Sequence, residues 1–181
     1  MTESAPQGMR LSVLFSAEEI AARIRALAGE IAATSERDLL VVPILTGSFI
    51  FAADLLRALH ETGLAPEMDF ISLSSYGTGQ KSSGEVQILH DTELRIEGRD
   101  VLLIDDILES GRTLARAKDM MMARGAARVR SCVLLDKPGK LAVKIKADFT
   151  GFACPDRFVV GYGLDDAHAW RQLPFVGYLE N

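Results

Sequence analysis

Two cysteines and three histidines in 181 residues leave little material for disulfide or zinc chemistry. Cys132 lies in an apolar run that reads as a strand, and Cys154 precedes a proline in a loop, so a structural disulfide is not expected; the scattered histidines offer no zinc spacing. Excess positive charge is also missing. The net charge is −5 and the pI near 5.2, which argues against a general binder of nucleic acid or anionic membrane and makes attraction for an anionic ligand a local matter. No apolar stretch approaches the ~18 residues of a spanning helix, and Met1 to Gly8 lack the charged and apolar regions of a signal peptide, so a cytoplasmic protein is expected. The chain shows no linker, internal repeat or low-complexity region, and 181 residues at 48% hydrophobic suffice for one domain, over 1–181, with a sizeable core. Neither a G-x-x-x-x-G-K-[ST] phosphate loop nor a G-x-G-x-x-G dinucleotide turn occurs.

What is present is the segment Val101 to Leu114, V-L-L-I-D-D-I-L-E-S-G-R-T-L. A continuous apolar run bounded by turn chemistry predicts a strand buried on both faces, as in a parallel sheet. Glu109-Ser110-Gly111-Arg112-Thr113 then supplies backbone N–H groups, two hydroxyls at a helix N-terminus and a glycine for close approach, a combination suited to phosphate. Asp105 and Asp106 would repel that phosphate, so they must face another part of the same ligand. Carboxylates accept hydrogen bonds from vicinal hydroxyls and hold Mg²⁺, so a metal-bound sugar phosphate fits both ends of the segment.

Elsewhere the pattern alternates strands with helices. Ser16 and Glu19 form a capping box ahead of a helix with Ile20, Ile24, Leu27, Ala28 and Ile31 on one face. Strands are expected at Leu39 to Leu45, Met68 to Ser74, Val86 to Leu89, Val101 to Ile104, Val129 to Leu135 and Phe158 to Tyr162, with a helix at Phe49 to His60 and a further one carrying Leu114, Ala117 and Met121. Gly77 to Gly84 breaks all periodicity and reads as a flexible loop, a candidate lid. The whole implies a mostly parallel α/β sheet with its site at the carboxyl ends of the strands.

The Val101 to Leu114 segment resembles the phosphoribosyl-diphosphate motif of the type I phosphoribosyltransferases, and the chain is similar to their hypoxanthine-guanine branch from about Leu39 to Gly177. Leu45 to Phe49 resembles the diphosphate loop, Ser74-Ser75-Tyr76-Gly77 the start of a mobile loop, and Leu135 to Pro138 and Phe158 to Asp165 the base-recognition segments. The resemblance implies the type I phosphoribosyltransferase fold, with a core at about 39–164 and a small hood from the flanking segments. It also implies transfer of a phosphoribosyl group from 5-phosphoribosyl 1-diphosphate to N9 of a 6-oxopurine, giving IMP or GMP, with Mg²⁺ as cofactor and a homo-oligomer as the assembly. By the same resemblance Asp105 and Asp106 meet the ribose hydroxyls and Mg²⁺, and Asp165 meets a second Mg²⁺ and the purine side. Thr46, Gly47, Ser75, Tyr76 and Arg171 serve the diphosphate, while Ser110, Gly111, Arg112 and Thr113 cradle the 5′-phosphate. Lys137 donates to the purine O6, Phe158 stacks on the ring and the Val159 backbone meets the base edge. Without the resemblance, Lys137 reads as an ordinary solvated strand-end lysine and Phe158 as core.

Two positions depart from the family pattern. Glu109 stands where the family usually has the aspartate that takes up the purine N7 proton, and Thr46 where it usually has lysine. Glutamate has similar acidity and one more methylene. A different class of function, a nucleotide-sensing RNA-binding regulator on the same fold, is disfavoured by the acidic balance. An adenine transferase is disfavoured because a lysine donor matches a 6-oxo acceptor.

Overall fold

The computed structural model describes residues 10–35, 38–75 and 86–180. Its centre is a sheet that begins with β2, Leu39–Leu45, whose residues Leu39 to Ile44 are all buried. Alternate side chains of this strand go to opposite faces: Leu39 and Val41 join one apolar cluster, while Leu40, Val42 and Ile44 join another. The first cluster is completed by α1, Ala17–Ala32, and α2, Phe49–Glu61. The second is completed by α3, Arg112–Ala123, through Leu114, Ala117, Met120 and Met121. Helices therefore cover both faces, which is why the strands read as unbroken apolar runs.

The remaining core strands are β3 (Glu67–Met68), β4 (Ile71–Ser75), β5 (Val86–His90), β6 (Asp100–Leu108), β7 (Arg128–Asp136) and β8 (Phe149–Ala153). The order across the sheet is β5-β4-β2-β6-β7-β8, with β3 beside β2; only the β4–β5 pair is antiparallel. The chain leaves β2 toward β4 on one side and returns as β6 on the other. The loops after β2 and β6 thus open at a point where strand order reverses, the usual crevice of a doubly wound sheet. A second, antiparallel sheet joins β1 (Arg10–Phe15), β10 (Val176–Glu180) and β9 (Val159–Val160). Among the described residues, no helix is long and apolar enough to cross a membrane, and both cysteines are free and buried.

Several expectations from sequence change here. The α1 capping box is present in both directions, with Ser16 N–H on Glu19 and Glu19 N–H on the Ser16 hydroxyl. The run expected as one strand over Met68 to Ser74 is two, because Asp69 turns its carboxylate to the Phe70 N–H, the Thr92 hydroxyl and the Glu93 N–H. The strand expected to stop at Ile104 continues to Leu108, paired with β7 as far as Asp136, so Asp105 and Asp106 lie within it. The strand expected over Phe158 to Tyr162 shrinks to Val159–Val160 and belongs to the second sheet. Positive φ angles at Gly161, Tyr162 and Gly163 end it. Strands β1, β8 and β10 were not anticipated at all.

At the end of the sheet away from the crevice, Asp100 is buried and accepts hydrogen bonds from Arg128 at 2.6 and 3.0 Å and from Arg130 at 2.7 Å. Burial opposes its charge, but the two guanidiniums outweigh that and hold the carboxyl below the usual aspartate range. Replacing Asp100 with Asn leaves a buried Arg130 without its anion, and a loss of about 3 kcal/mol is expected. Because the folded carboxyl titrates low, this stability is complete above about pH 4 and lost as pH falls further. Chemical denaturation of both forms should therefore show a gap at pH 7 that closes in acid. A gap that did not narrow at all as pH falls would show the loss to be one of shape.

Candidate active site

A cleft of about 480 Å³ opens at the strand-order reversal, walled by Thr46 and Gly47 after β2, Asp105 to Gly111 at the end of β6, Thr113 and Leu114 on α3, and Asp165. Its narrowest construction is at the acid pair. A Cβ on Gly47 would lie 1.6 Å from Asp106 Oδ2, and one on Gly163 would lie 2.1 Å from the Gly47 carbonyl oxygen. Three segments distant in sequence are thus packed backbone to backbone and backbone to carboxylate, and only glycine admits this.

The acid pair sits in an unfavourable electrostatic setting. Burial first, and then the neighbouring Asp106 charge, push the Asp105 carboxyl well up; burial also raises Asp106, against the opposing pull of the Ile107 N–H and the Arg171 charge. A pair in this state gains from any ligand that brings hydroxyl donors or a cation. Among the described residues no cluster of three or more His, Cys, Asp or Glu forms a ready metal cage. A cation held by one or two carboxylates together with ligand oxygens fits what is there, and this is how Mg²⁺ is commonly bound.

The turn after β6 carries Ser110, Gly111 and the start of α3. Gly111 caps the helix at φ 76°, Arg112 N–H reaches the Ser110 hydroxyl at 3.3 Å, and Ala115 N–H closes onto Gly111 O at 2.9 Å. The N–H groups of the first turn have no partner inside the helix and face an incoming anion. The fold supplies its own reasons for glycine here. A Cβ on Gly111 would meet Ile145 at 2.5 Å, with Val143 and Leu141 close behind, and a φ of 76° is itself costly for other residues, so the protein's own wall and backbone require the glycine.

Beyond Glu109 the polarity changes. Lys137 is buried, only 5% exposed, with its backbone N–H on Leu108 O at 2.9 Å and its Nζ 2.9 Å from Glu109 Oε1 and 3.5 Å from Asp156 Oδ1. Lys140 lies 2.6 Å from Asp156 and 3.7 Å from Glu109. That hydrogen bond to Lys140 holds the Asp156 carboxyl low. Phe158 is 60% exposed and Val159 buried. A strand-end lysine is ordinarily solvated and a phenylalanine ordinarily core; both are reversed here.

Of the residues named from sequence, Thr46, Gly47, Asp105, Asp106, Glu109, Ser110, Gly111, Thr113 and Asp165 line the cleft together. Lys137 joins through Glu109. Arg171 is turned onto Asp165 at 2.7 Å and the Gly163 carbonyl at 2.5 Å, and Asp165 also accepts the His168 N–H at 2.8 Å. Arg112, Phe158 and Val159 are not among the residues lining the cleft. Ser75 ends β4, paired with Val86; its side chain, Tyr76 and the lid expected at Gly77 to Gly84 lie outside the described residues. Sequence reasoning missed Asp156 and Lys140. The second lysine across the Pro138-Gly139 turn was the available signal.

A model of the phosphoribosyl transferase domain matches residues 12–167. The hypoxanthine-guanine phosphoribosyltransferase of Aquifex aeolicus is 41% identical over 177 residues, covering 97% of this chain and 98% of its own. The bifunctional protein TilS/HprT of Listeria innocua is 48% identical over 169 residues, covering 93% of this chain, which spans only 26% of that longer protein. A solved glutamic acid mutant from an analysis of an invariant aspartic acid in HPRTs superposes with a TM-score of 0.87 at 39% identity, over 93% of this chain and 95% of that one.

Gly47→Ala should force Asp106 or the loop to move and lower stability by about 1–3 kcal/mol. Gly29→Ala, in the last turn of α1 with nothing within 4 Å, should raise it by roughly 0.5–1 kcal/mol. Thermal melts of the two variants check this; equal shifts would mean that the approach at Gly47 relaxes freely.

Proposed function

This chain belongs to the phosphoribosyl transferase family, in its hypoxanthine-guanine branch, and we propose that it transfers the phosphoribosyl group of 5-phosphoribosyl 1-diphosphate to N9 of hypoxanthine or guanine, as its full-length relative's name describes. The observation that carries the reading is the buried Lys137, a donor held against Glu109 of the cleft, while Phe158, two residues past its other partner Asp156, presents an exposed aromatic face. An ammonium has only donors, which suits a 6-oxo group and not a 6-amino group.

The proposed roles follow the cleft. The Ser110 to Thr113 turn takes the 5′-phosphate on its N–H groups and hydroxyls. Asp105 and Asp106 accept the ribose hydroxyls, and Thr46 and Gly47 offer backbone donors to the diphosphate. Asp165, held by Arg171 and the His168 N–H, faces the diphosphate and the base. Mg²⁺ held by these carboxylates would supply charge neutralisation for the leaving diphosphate. Phe158 stacks on the purine and the Val159 backbone meets its edge, while Lys137 donates to O6. The bond from N9 to C1′ forms as the bond from C1′ to the diphosphate oxygen breaks, and the N7 proton passes to Glu109. Three further proposals rest on the family pattern: that Ser75 and Tyr76 close over the diphosphate, that β1, β9 and β10 form the hood of a single domain, and that the protein works as a homo-oligomer on small molecules.

An assay with 5-phosphoribosyl 1-diphosphate, Mg²⁺ and each of hypoxanthine, guanine, xanthine, adenine and uracil tests the reading. Turnover is expected with hypoxanthine or guanine, falling of the order of a hundredfold or more in Glu109→Gln. No turnover of any 6-oxopurine would sink it. Thr46→Lys restores a cation near the diphosphate and should tighten diphosphate binding roughly two- to fivefold, the scale of an exposed charge contact. Calorimetric titration showing no gain would mean the loop binds through its backbone alone.

A further inference from the structure

Lys137 and Glu109 have opposed needs in the reaction. At rest they are paired at 2.9 Å, yet Glu109 must take up a proton and the Lys137 ammonium must turn to a carbonyl oxygen. A protonated Glu109 no longer compensates Lys137, and a buried unpaired ammonium is costly. A second anion is therefore required wherever the lysine stays buried and charged.

Asp156 meets that requirement. It follows Pro155 in a turn after β8 that is closed by the Arg157 N–H on Pro155 O at 2.7 Å, and Arg157 in turn lies over the Tyr178 ring at 4.2 Å. The adjoining Cys154 N–H is bonded to Asp136 O at 2.7 Å, so the turn is fastened to the strand end that bears Lys137. The distances are unequal in a useful way. Exposed Lys140 takes Asp156 at 2.6 Å, leaving Lys137 the looser contact at 3.5 Å. Two cations and two carboxylates make a neutral group in which no single contact locks Lys137.

Resting on the transfer reading above, we infer that Asp156 is a positioning residue, the counter-anion that keeps Lys137 in place while Glu109 accepts the proton, and that Lys140 holds Asp156 off Lys137. The groups bearing on Glu109 are Lys137 at the end of β7, Lys140 in the following loop, Asp156 after β8, and the Cys154 thiol, which burial pushes up and so keeps neutral. Without Asp156, both lysines turn to Glu109 alone and hold its carboxylate more firmly charged.

Steady-state kinetics and the pH profile of kcat/KM should be measured for the wild type, Asp156→Asn, Asp156→Glu and Lys140→Met. The Glu109 carboxyl should also be titrated by ¹³C NMR without substrates. In Asp156→Asn, kcat should fall roughly tenfold, within the range of coupling between neighbouring charged groups, with KM for the sugar diphosphate unchanged. Its acid limb and its Glu109 titration should both move to lower pH, and Asp156→Glu should restore them. Lys140→Met should raise KM for the purine with little change in kcat. An active wild type whose Asp156→Asn form keeps its kcat and its Glu109 titration overturns this inference alone. A wild type inert toward every 6-oxopurine overturns the transfer reading and this one with it.

Discussion

The site depends on one close approach, that of the Asp106 carboxylate to the backbone at Gly47, with Gly163 packed on the other side of the same peptide. The parallel sheet brings the ends of β2 and β6 to one edge, but it does not by itself decide how near their loops come. The two missing side chains decide that. With no Cβ at either glycine, the acid pair, the loop after β2 and the Asp165 segment form one rigid unit, and none of them can shift without the others. A cleft built this way keeps its carboxylates in place despite their mutual repulsion, because close packing adds to the pull of the Ile107 N–H and the Arg171 charge on Asp106.

That rigidity bears on how an acidic protein accepts an anionic ligand. The net charge of −5 gives no long-range attraction. The first-turn N–H groups of α3 offer a local attraction for an anion that carries no formal charge. The acid pair, Asp105 buried and Asp106 partly so, has its carboxyls raised and gains from hydroxyl donors or a cation. A ligand that is anionic at its ends and rich in hydroxyls between them matches this sequence of surfaces, whereas a plain polyanion would meet the acids unfavourably.

Legibility from sequence followed locality. The α1 capping box, its buried face and the β6-to-α3 segment were readable because their determinants lie within a few residues of one another. Strands β1, β8 and β10 were not, since each is short and only partly buried and is defined by pairing with remote partners. Phe158 to Tyr162 reads as one more strand of the parallel sheet, whereas Val159 and Val160 pair with β10 in the other sheet and three consecutive residues of positive φ end the strand after them. Gly111 stands out in the sequence, but the Ile145 wall that would meet its Cβ lies in a distant segment that no local pattern connects to it. Asp156 was illegible for the same reason: an acidic residue after a proline reads as surface, and its meaning comes from lysines on another loop.

The glutamate at position 109 is best understood through Lys137. A carboxylate on a longer arm has more rotamers to lose, and its position is less determined by the backbone that carries it. Here the backbone does not have to determine it. Lys137 has its backbone tied by its N–H to Leu108 O and its side chain buried, so its ammonium has little room, and Glu109 Oε1 rests against it at 2.9 Å. The anchor replaces the precision that a shorter side chain would bring. In the proposed transfer the anchor releases when the proton arrives, which calls for a further partner for the cation, and Asp156 and Lys140 supply the charges beyond it.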